Sequence, residues 1–185
     1  MRGLDILGDM ITRLAHTADL DAATRTAART LLDAAFDGDF TDEDWAHGLG
    51  GMHVLCWEGD ELTGHASLVQ RQLLHRGRAL RTGYVENVAV REDRRGRGYG
   101  AALMSTVERL IRGGYELGAL SSSSDALEFY GARGWVLWRG PTSAFGPDGL
   151  VRTEEDDGGV FVLPVSAALD PDAPLACDWR EGDVW

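Results

Sequence analysis

The amino-acid sequence predicts one α/β domain of the α+β kind, in which helices flank a mixed, mostly antiparallel sheet. Three observations carry that expectation. The chain has 185 residues, 44% of them apolar, which suits a single core, since such cores hold roughly 100–200 residues. Three apolar-rich runs, 52–57, 63–74 and 79–90, are separated only by the turns Glu58-Gly59-Asp60 and Arg76-Gly77, the spacing of antiparallel strands. Helical periodicity brackets them at 21–36 and at about 100–112.

Taken in order, Ala27, Leu31, Leu32, Ala35 and Phe36 fall near one face of a helix over Asp21 to Phe36, with Thr17 or Asp19 placed to cap it. The acids Asp37, Asp39, Asp42, Glu43 and Asp44 surround Phe40 and Trp45 and precede Gly48 to Gly51, which reads as loop or short helix. After the three strands, a Gly/Arg cluster from Arg94 to Gly100 opens a helix that Gly113-Gly114 ends. Leu117 to Leu120 reads as a short buried strand. Ser121 to Ser124 read as the cap of a helix containing Leu127, Phe129 and Tyr130, closed at Gly134. The last strands are expected at 135–138 and 160–165, joined by a long loop through Pro141, Pro147 and the acidic run 154–157. Terminal residues usually fray, so Trp179 and Trp185 in the acidic tail predict that it docks back on the domain.

Charge narrows the function. Eighteen basic residues against 30 acidic ones give −12, and every basic residue is an arginine. An acidic chain lacks the basic face that nucleic acid requires. Between Arg71 and Arg112, however, ten arginines face only Glu86, Glu92, Asp93 and Glu108, a balance of +6, while the rest of the chain carries −18. One segment suits a polyanion and the remainder attracts cations. Cys56 and Cys177 show neither CxxC nor metal spacing, so no disulfide framework and no metal site are expected, and the expected location is the cytoplasm. No apolar run approaches the ~20 residues of a membrane span, and Asp5 and Asp9 interrupt any signal-peptide core. His16, His47, His53, His65 and His75 show no ligand spacing and read as polar structural residues.

The chemistry concentrates in one stretch. The strand Tyr84-Val85-Glu86-Asn87-Val88-Ala89-Val90 runs into the glycine-rich turn 91–100 and an apolar helix. Glycines admit close backbone approach, and a helix N-terminus offers free N–H groups and a positive dipole end, so a nucleotide diphosphate belongs there. The spacing is neither GxGxxG nor GxxxxGK[ST], which disfavours dinucleotide and P-loop readings. Arg95-x-x-Gly98-x-Gly100 resembles the pyrophosphate loop of GCN5-related N-acetyltransferases (GNAT); the plain alternative is a Gly/Arg surface turn. The resemblance implies the GNAT fold and an acetyl-CoA (coenzyme A) cosubstrate. Its pyrophosphate would lie at Arg95, Gly96, Arg97, Gly98, Tyr99 and Gly100, and its pantetheine arm would pair with the backbone of Val88, Ala89 and Val90.

Further blocks resemble the actinobacterial aminoglycoside 2′-N-acetyltransferases. They are 38–41, 49–53, 83–86, 117–121, 140–143, 160–164 and, most specifically, the terminal Cys177-Asp178-Trp179-Arg180-Glu181-Gly182-Asp183-Val184-Trp185. The match covers roughly residue 14 to the end, so 1–13 is expected to be an N-terminal extension and 14–185 the acetyltransferase domain with its docked tail. One departure is Asn87, where a small residue is usual, which would alter the geometry beside Glu86. The family forms dimers, so a homodimer is expected.

Amine acetylation needs a neutral nucleophile, an exit for its proton, and stabilised charge on the carbonyl and the departing thiolate. The resemblance makes Glu86 a water-mediated general base, shared with the carboxylate of Trp185; otherwise Glu86 simply pairs with an arginine. It makes Tyr130 the acid at sulfur, where the alternative is a core tyrosine, and the Val88 N–H the carbonyl polariser. A polycationic acceptor calls for carboxylates, and the resemblance places Asp39, Asp44, Glu86, Ser121, Asp156, Asp183 and Trp185 around it. Asp42, Glu43, Glu154 and Glu155 are left as surface. The expected activity is acetyl transfer to the 2′-amine of an aminoglycoside antibiotic, conferring resistance. An endogenous amine such as a cell-wall amino sugar, or a non-catalytic CoA-binding module, are the alternatives.

Overall fold

The computed structural model of the chain describes residues 2–7, 10–122 and 126–185. Two compact units divide it: Met1–Val69 with Val85–Arg109, and Gln70–Tyr84 with Leu110–Trp185. Three long elements contribute to both, namely β4 (Glu61–His75), β5 (Arg78–Val90) and α3 (Tyr99–Gly114).

In the first unit, β1 (Arg2–Leu7), β2 (Met10–His16), β3 (Met52–Glu58) and β4 form an antiparallel run with β5 next to β4. The turn at Gly59-Asp60 joins β3 to β4 as the sequence predicts, with Gly59 at φ +55° where a side chain would be strained. Helix α1 (Ala22–Ala35) packs Ala28, Leu31 and Leu32 with Leu20, Phe40, Leu55 and Leu62 into one core. Its cap is Asp21, not Thr17 or Asp19: Asp21 Oδ1 accepts from the Thr24 N–H at 2.7 Å. Residues Thr17–Asp19 form a separate 3-10 turn, because the Thr17 hydroxyl is committed to Gly50, Gly51 and His53. Phe36 follows the last helical turn, so it leaves the buried face, is 43% exposed and stacks on Phe40 at 5.5 Å. The acidic stretch that follows contains a short helix, α2 (Asp42–His47).

In the second unit, β5 pairs in parallel with β6 (Leu117–Ser121), and β6 pairs antiparallel with β10 (Val160–Pro164), which pairs with β7 (Val136–Leu137). The mixed, mostly antiparallel sheet is as expected. Gly83 and Gly118 are partners across β5 and β6. A Cβ at Gly118 would stand 2.8 Å from Ile111 and 3.1 Å from Trp135, so only glycine lets α3 settle this close. Helix α4 (Leu127–Gly131) ends three residues before Gly134, which instead carries the following turn at φ +88°. Ser123 and Ser124 lie outside the described residues, and Ala126 occupies the cap position with no side-chain bond.

The stretch expected as a long loop is structured. It forms the hairpin β8 (Thr142–Gly146) and β9 (Gly149–Arg152), turned at Pro147-Asp148. The alternation there is short and its outer face is exposed, so its periodicity is faint in the sequence. The tail docks through β11 (Leu175–Asp178), parallel to β8 and antiparallel to the end of β4. Of the two tail indoles, only Trp185 is buried; Trp179 is 45% exposed.

Candidate active site

Within the first unit, the strand carrying Glu86 takes a left-handed residue one position later. Asn87 sits at φ +55°, a left-handed conformation that asparagine tolerates better than most residues because its short polar side chain bonds locally. Both carbonyls at this point are taken by side chains. The Ser67 hydroxyl donates to Glu86 O at 3.2 Å and His65 Nδ1 to Asn87 O at 2.8 Å, while Asn87 Nδ2 donates to Asp44 O at 3.1 Å. Glu86 itself is half-buried. Asn87 thus ties the backbone beside Glu86 to Asp44.

Beyond Val90 the chain makes a 3-10 turn at Glu92–Arg94, passes Gly96 (φ +72°) and Gly98 (φ +89°), and enters α3 at Tyr99. Arginines build this turn. Arg91 pairs with Glu61 and Asp93 at 2.7 and 2.6 Å, and Arg94 with Glu58 and Asp93, both at 2.7 Å. The Tyr99 hydroxyl also bonds Glu58. Arg95 and Arg97 are exposed, with Arg95 Nε tied to Val90 O at 3.2 Å. The first amide to bond back along the helix is Ala102 N, to Gly98 O, so the preceding amides at the N-terminus of a 16-residue helix are available to an anion. No side chain projects from Gly96, Gly98 or Gly100, and the donor set fits a diphosphate. Asp39 is exposed between α1 and α2. Asp44 Oδ2 accepts from the Thr41 N–H at 2.9 Å in a capping box, so this carboxylate also holds α2.

Within the second unit, four of the expected acceptor residues converge. Trp185 is buried, and its indole N–H donates to Thr153 Oγ1 at 3.0 Å. Thr153 leads into the 3-10 turn Glu154–Asp156, whose Asp156 O accepts from Gly159 N at 3.0 Å. Gly159 lies against Ser121 Oγ. Burial, then Glu155, then Asp183 push the Asp156 carboxyl above its usual range, against a lowering hydrogen bond from Thr153. Asp183 and Trp185 are held by one residue the sequence reading did not single out: Arg180 donates to Asp183 O at 2.6 Å and to Trp185 O at 3.1 Å. Its guanidinium also lies 5.4 Å from the Tyr84 ring centroid, where Arg71 lies 4.6 Å away. The only signal for Arg180 is its place within the terminal block. Tyr130 packs its ring on Phe129, Trp135 and Phe161. Burial pushes its phenol up, partly offset by a hydrogen bond with Ser122. The ring is core, and the hydroxyl remains a proton donor at neutral pH.

Both the sequence and the fold have counterparts among known proteins. The sequence model of the acetyltransferase (GNAT) family matches residues 19–135. An aminoglycoside 2′-N-acetyltransferase of Mycolicibacterium fortuitum is 55% identical over 177 residues, covering 94% of this chain and 91% of that protein. Among solved structures, Escherichia coli ElaA superposes with a TM-score of 0.60 at 19% identity, covering 83% of this chain and 99% of that one. The ribosomal-protein-S18-alanine N-acetyltransferase of Escherichia coli superposes with a TM-score of 0.57 at 17% identity, covering 86% and 97%. The two structures share the fold. The chain belongs to the acetyltransferase (GNAT) family.

Proposed function

We propose that the chain transfers the acetyl group of acetyl-CoA to the 2′-amino group of aminoglycosides by direct attack, conferring resistance. The observation that carries the acceptor is the 55% identity along 94% of the chain to an enzyme of that name. The acidic cluster of Asp156 and Asp183 beside Trp185 supports it, since ammonium groups pair with carboxylates.

The cosubstrate supplies an activated acetyl thioester; the chain's residues do the rest. The amides from Gly98 onward and the exposed Arg95 and Arg97 hold the diphosphate, and the backbone of Val88, Ala89 and Val90 aligns the pantetheine arm. Glu86 takes the proton of the acceptor ammonium through water, shared with the terminal carboxylate at Trp185. The Val88 N–H polarises the thioester carbonyl as the amine nitrogen bonds to carbon and the carbon–sulfur bond breaks. Tyr130 gives its proton to the departing sulfur, and the second proton that the nitrogen sheds as the amide forms returns to the phenol through solvent. Asp39, Asp44, Ser121, Asp156 and Asp183 orient the polycation.

The buried free thiols Cys56 and Cys177 suit a reducing cytoplasm. Among the described residues no helix is long and apolar enough to cross a membrane. The proposed working form is a homodimer, which light scattering reads directly. The deciding assay is CoA release with tobramycin, which carries a 2′-amine, against kanamycin A, which carries a 2′-hydroxyl. Turnover with tobramycin alone is expected. Equal turnover would move the acetylated position, and silence with both would hand the site to an endogenous amine.

A further inference from the structure

Two histidines that acetyl transfer does not use lie next to the left-handed Asn87 of β5. His53 on β3 and His65 on β4 are both fully buried, with ring centroids 5.3 Å apart and Trp45 of α2 within 6.4 Å of each. They belong to one line of hydrogen bonds. Thr17 Oγ1 lies 2.8 Å from His53 Nε2, His53 Nδ1 lies 3.0 Å from His65 Nε2, and His65 Nδ1 lies 2.8 Å from Asn87 O.

The last link fixes the polarity of the others. A carbonyl only accepts, so His65 carries its proton on Nδ1. Burial holds His65 down to about 4 and His53 to about 3, the latter helped by the neighbouring His65. Both rings are therefore neutral near pH 7, and His65 Nε2 is an acceptor. It must take its hydrogen bond from His53 Nδ1–H, which leaves His53 Nε2 to accept from the Thr17 hydroxyl; the one hydroxyl hydrogen goes to this nitrogen at 2.8 Å, because the Gly51 carbonyl, 3.1 Å from the hydroxyl, already accepts from the Thr17 N–H at 3.0 Å. The Gly50 N–H in turn donates to Thr17 at 2.9 Å. Because the line ends on a carbonyl, it delivers no proton to a substrate. What it does reach is the one left-handed residue between Glu86 and Val88.

We propose that Thr17, His53 and His65 are positioning residues, a strut of one-way hydrogen bonds that fixes the Asn87 carbonyl and thereby sets where the Glu86 carboxylate and the Val88 N–H stand. The inference rests on the roles proposed above for Glu86 and Val88. The diphosphate turn is held by other bonds, those of Arg91, Arg94 and Tyr99, and Ala89 and Val90 keep their proposed pairing with the pantetheine arm when Val88 shifts, so disturbing the strut acts on turnover more than on cosubstrate binding.

Two measurements test it. In ¹⁵N-labelled wild-type protein at pH 7 without substrates, imidazole NMR is expected to show both rings neutral and protonated at Nδ1. An Nε2–H tautomer or an imidazolium at either ring overturns the proposal. Kinetically, His65→Leu removes the donor to Asn87 O, whereas the amide of His65→Asn stands near the Nδ1 position and keeps one. The Leu variant is expected to lose about tenfold or more in kcat with the KM for acetyl-CoA changed less than about twofold, and the Asn variant to recover most of that loss. Wild-type turnover in a folded Leu variant, or equal loss in both, overturns it. If the Leu variant does not fold, the isosteric Thr17→Val reads the outer end against Thr17→Ser, with only Val expected to lower kcat. A wild-type enzyme that acetylates no amine would sink the acetyl-transfer reading itself, and the NMR tautomers would still judge the strut in the same sample.

Discussion

The side-chain amide of Asn87 donates to the main-chain oxygen of Asp44 at 3.1 Å, so the left-handed residue of β5 also fastens α2 beside it. Gly48 lies against the same amide: a Cβ there would stand 2.6 Å from Asn87 Nδ2. Asn87→Ala removes the tether and keeps the strained φ, and is expected to cost about 1–3 kcal/mol. Asn87→Gly relieves the strain but not the lost bond, so its cost should be smaller. Urea denaturation of both variants checks the order, and a larger loss for glycine would refute it.

Glu86→Gln is expected to lower kcat/KM by roughly 10²–10⁴ where the acceptor amine is protonated. As pH rises the amine loses its proton without help, so the deficit should shrink. Parallel pH profiles for variant and wild type, displaced by a constant factor, would contradict the base role.

The buried histidines predict acid lability. Their folded pKa values, about 4 for His65 and about 3 for His53, lie below the unfolded value near 6.5. Below pH 6.5 the unfolded chain therefore binds more protons than the folded one. Their contribution to stability is complete above that pH and falls as pH drops toward 4 and 3, with a limiting slope of about 1.4 kcal/mol per pH unit for each ring. Urea titrations at pH 7.5, 6 and 5 measure it, and His65→Asn should remove about half the slope over that window.

Asp156 predicts the opposite sign. Its folded pKa is raised by burial, Glu155 and Asp183, so its ionisation opposes folding. The stability associated with its neutral form is full below the ordinary carboxylate range and is lost as pH rises through the raised value. Asp156→Asn should accordingly raise Tm at pH 7, gain little at pH 3, and raise the KM for aminoglycosides. Carboxylates kept together at a cost to stability are intelligible where a polycation fills the space between them. A lower Tm at pH 7 would show that the Asp156 carboxylate is held by bonds worth more than this repulsion.

Elements with strong local signals were legible from the residues alone. The β3–β4 and β4–β5 turns, the α1 periodicity and the glycine-rich entry to α3 all follow from short-range pattern. The β8–β9 hairpin was not, because Phe145, Leu150 and Val151 are exposed and leave no buried stripe to read. The site divided the same way. The turn at 95–100 stands out through its glycine spacing. The histidine pair does not, since residues 53 and 65 meet only through the β3–β4 register, in which His53 is opposite Ser67 and Leu55 opposite His65. Arg180 likewise acquires meaning only when the tail folds back along β8.

The ion pairs that shape the glycine-rich turn before α3 are all made by arginine, and the chain contains no lysine. Primary amines attack thioesters, whereas a guanidinium stays protonated and inert at neutral pH. A catalyst that repeatedly handles an activated acetyl donor thus offers it no side-chain amine of its own. Arg91 and Arg94 keep their charge in the presence of such a donor, and the scaffold of the turn is immune to silencing by acetylation.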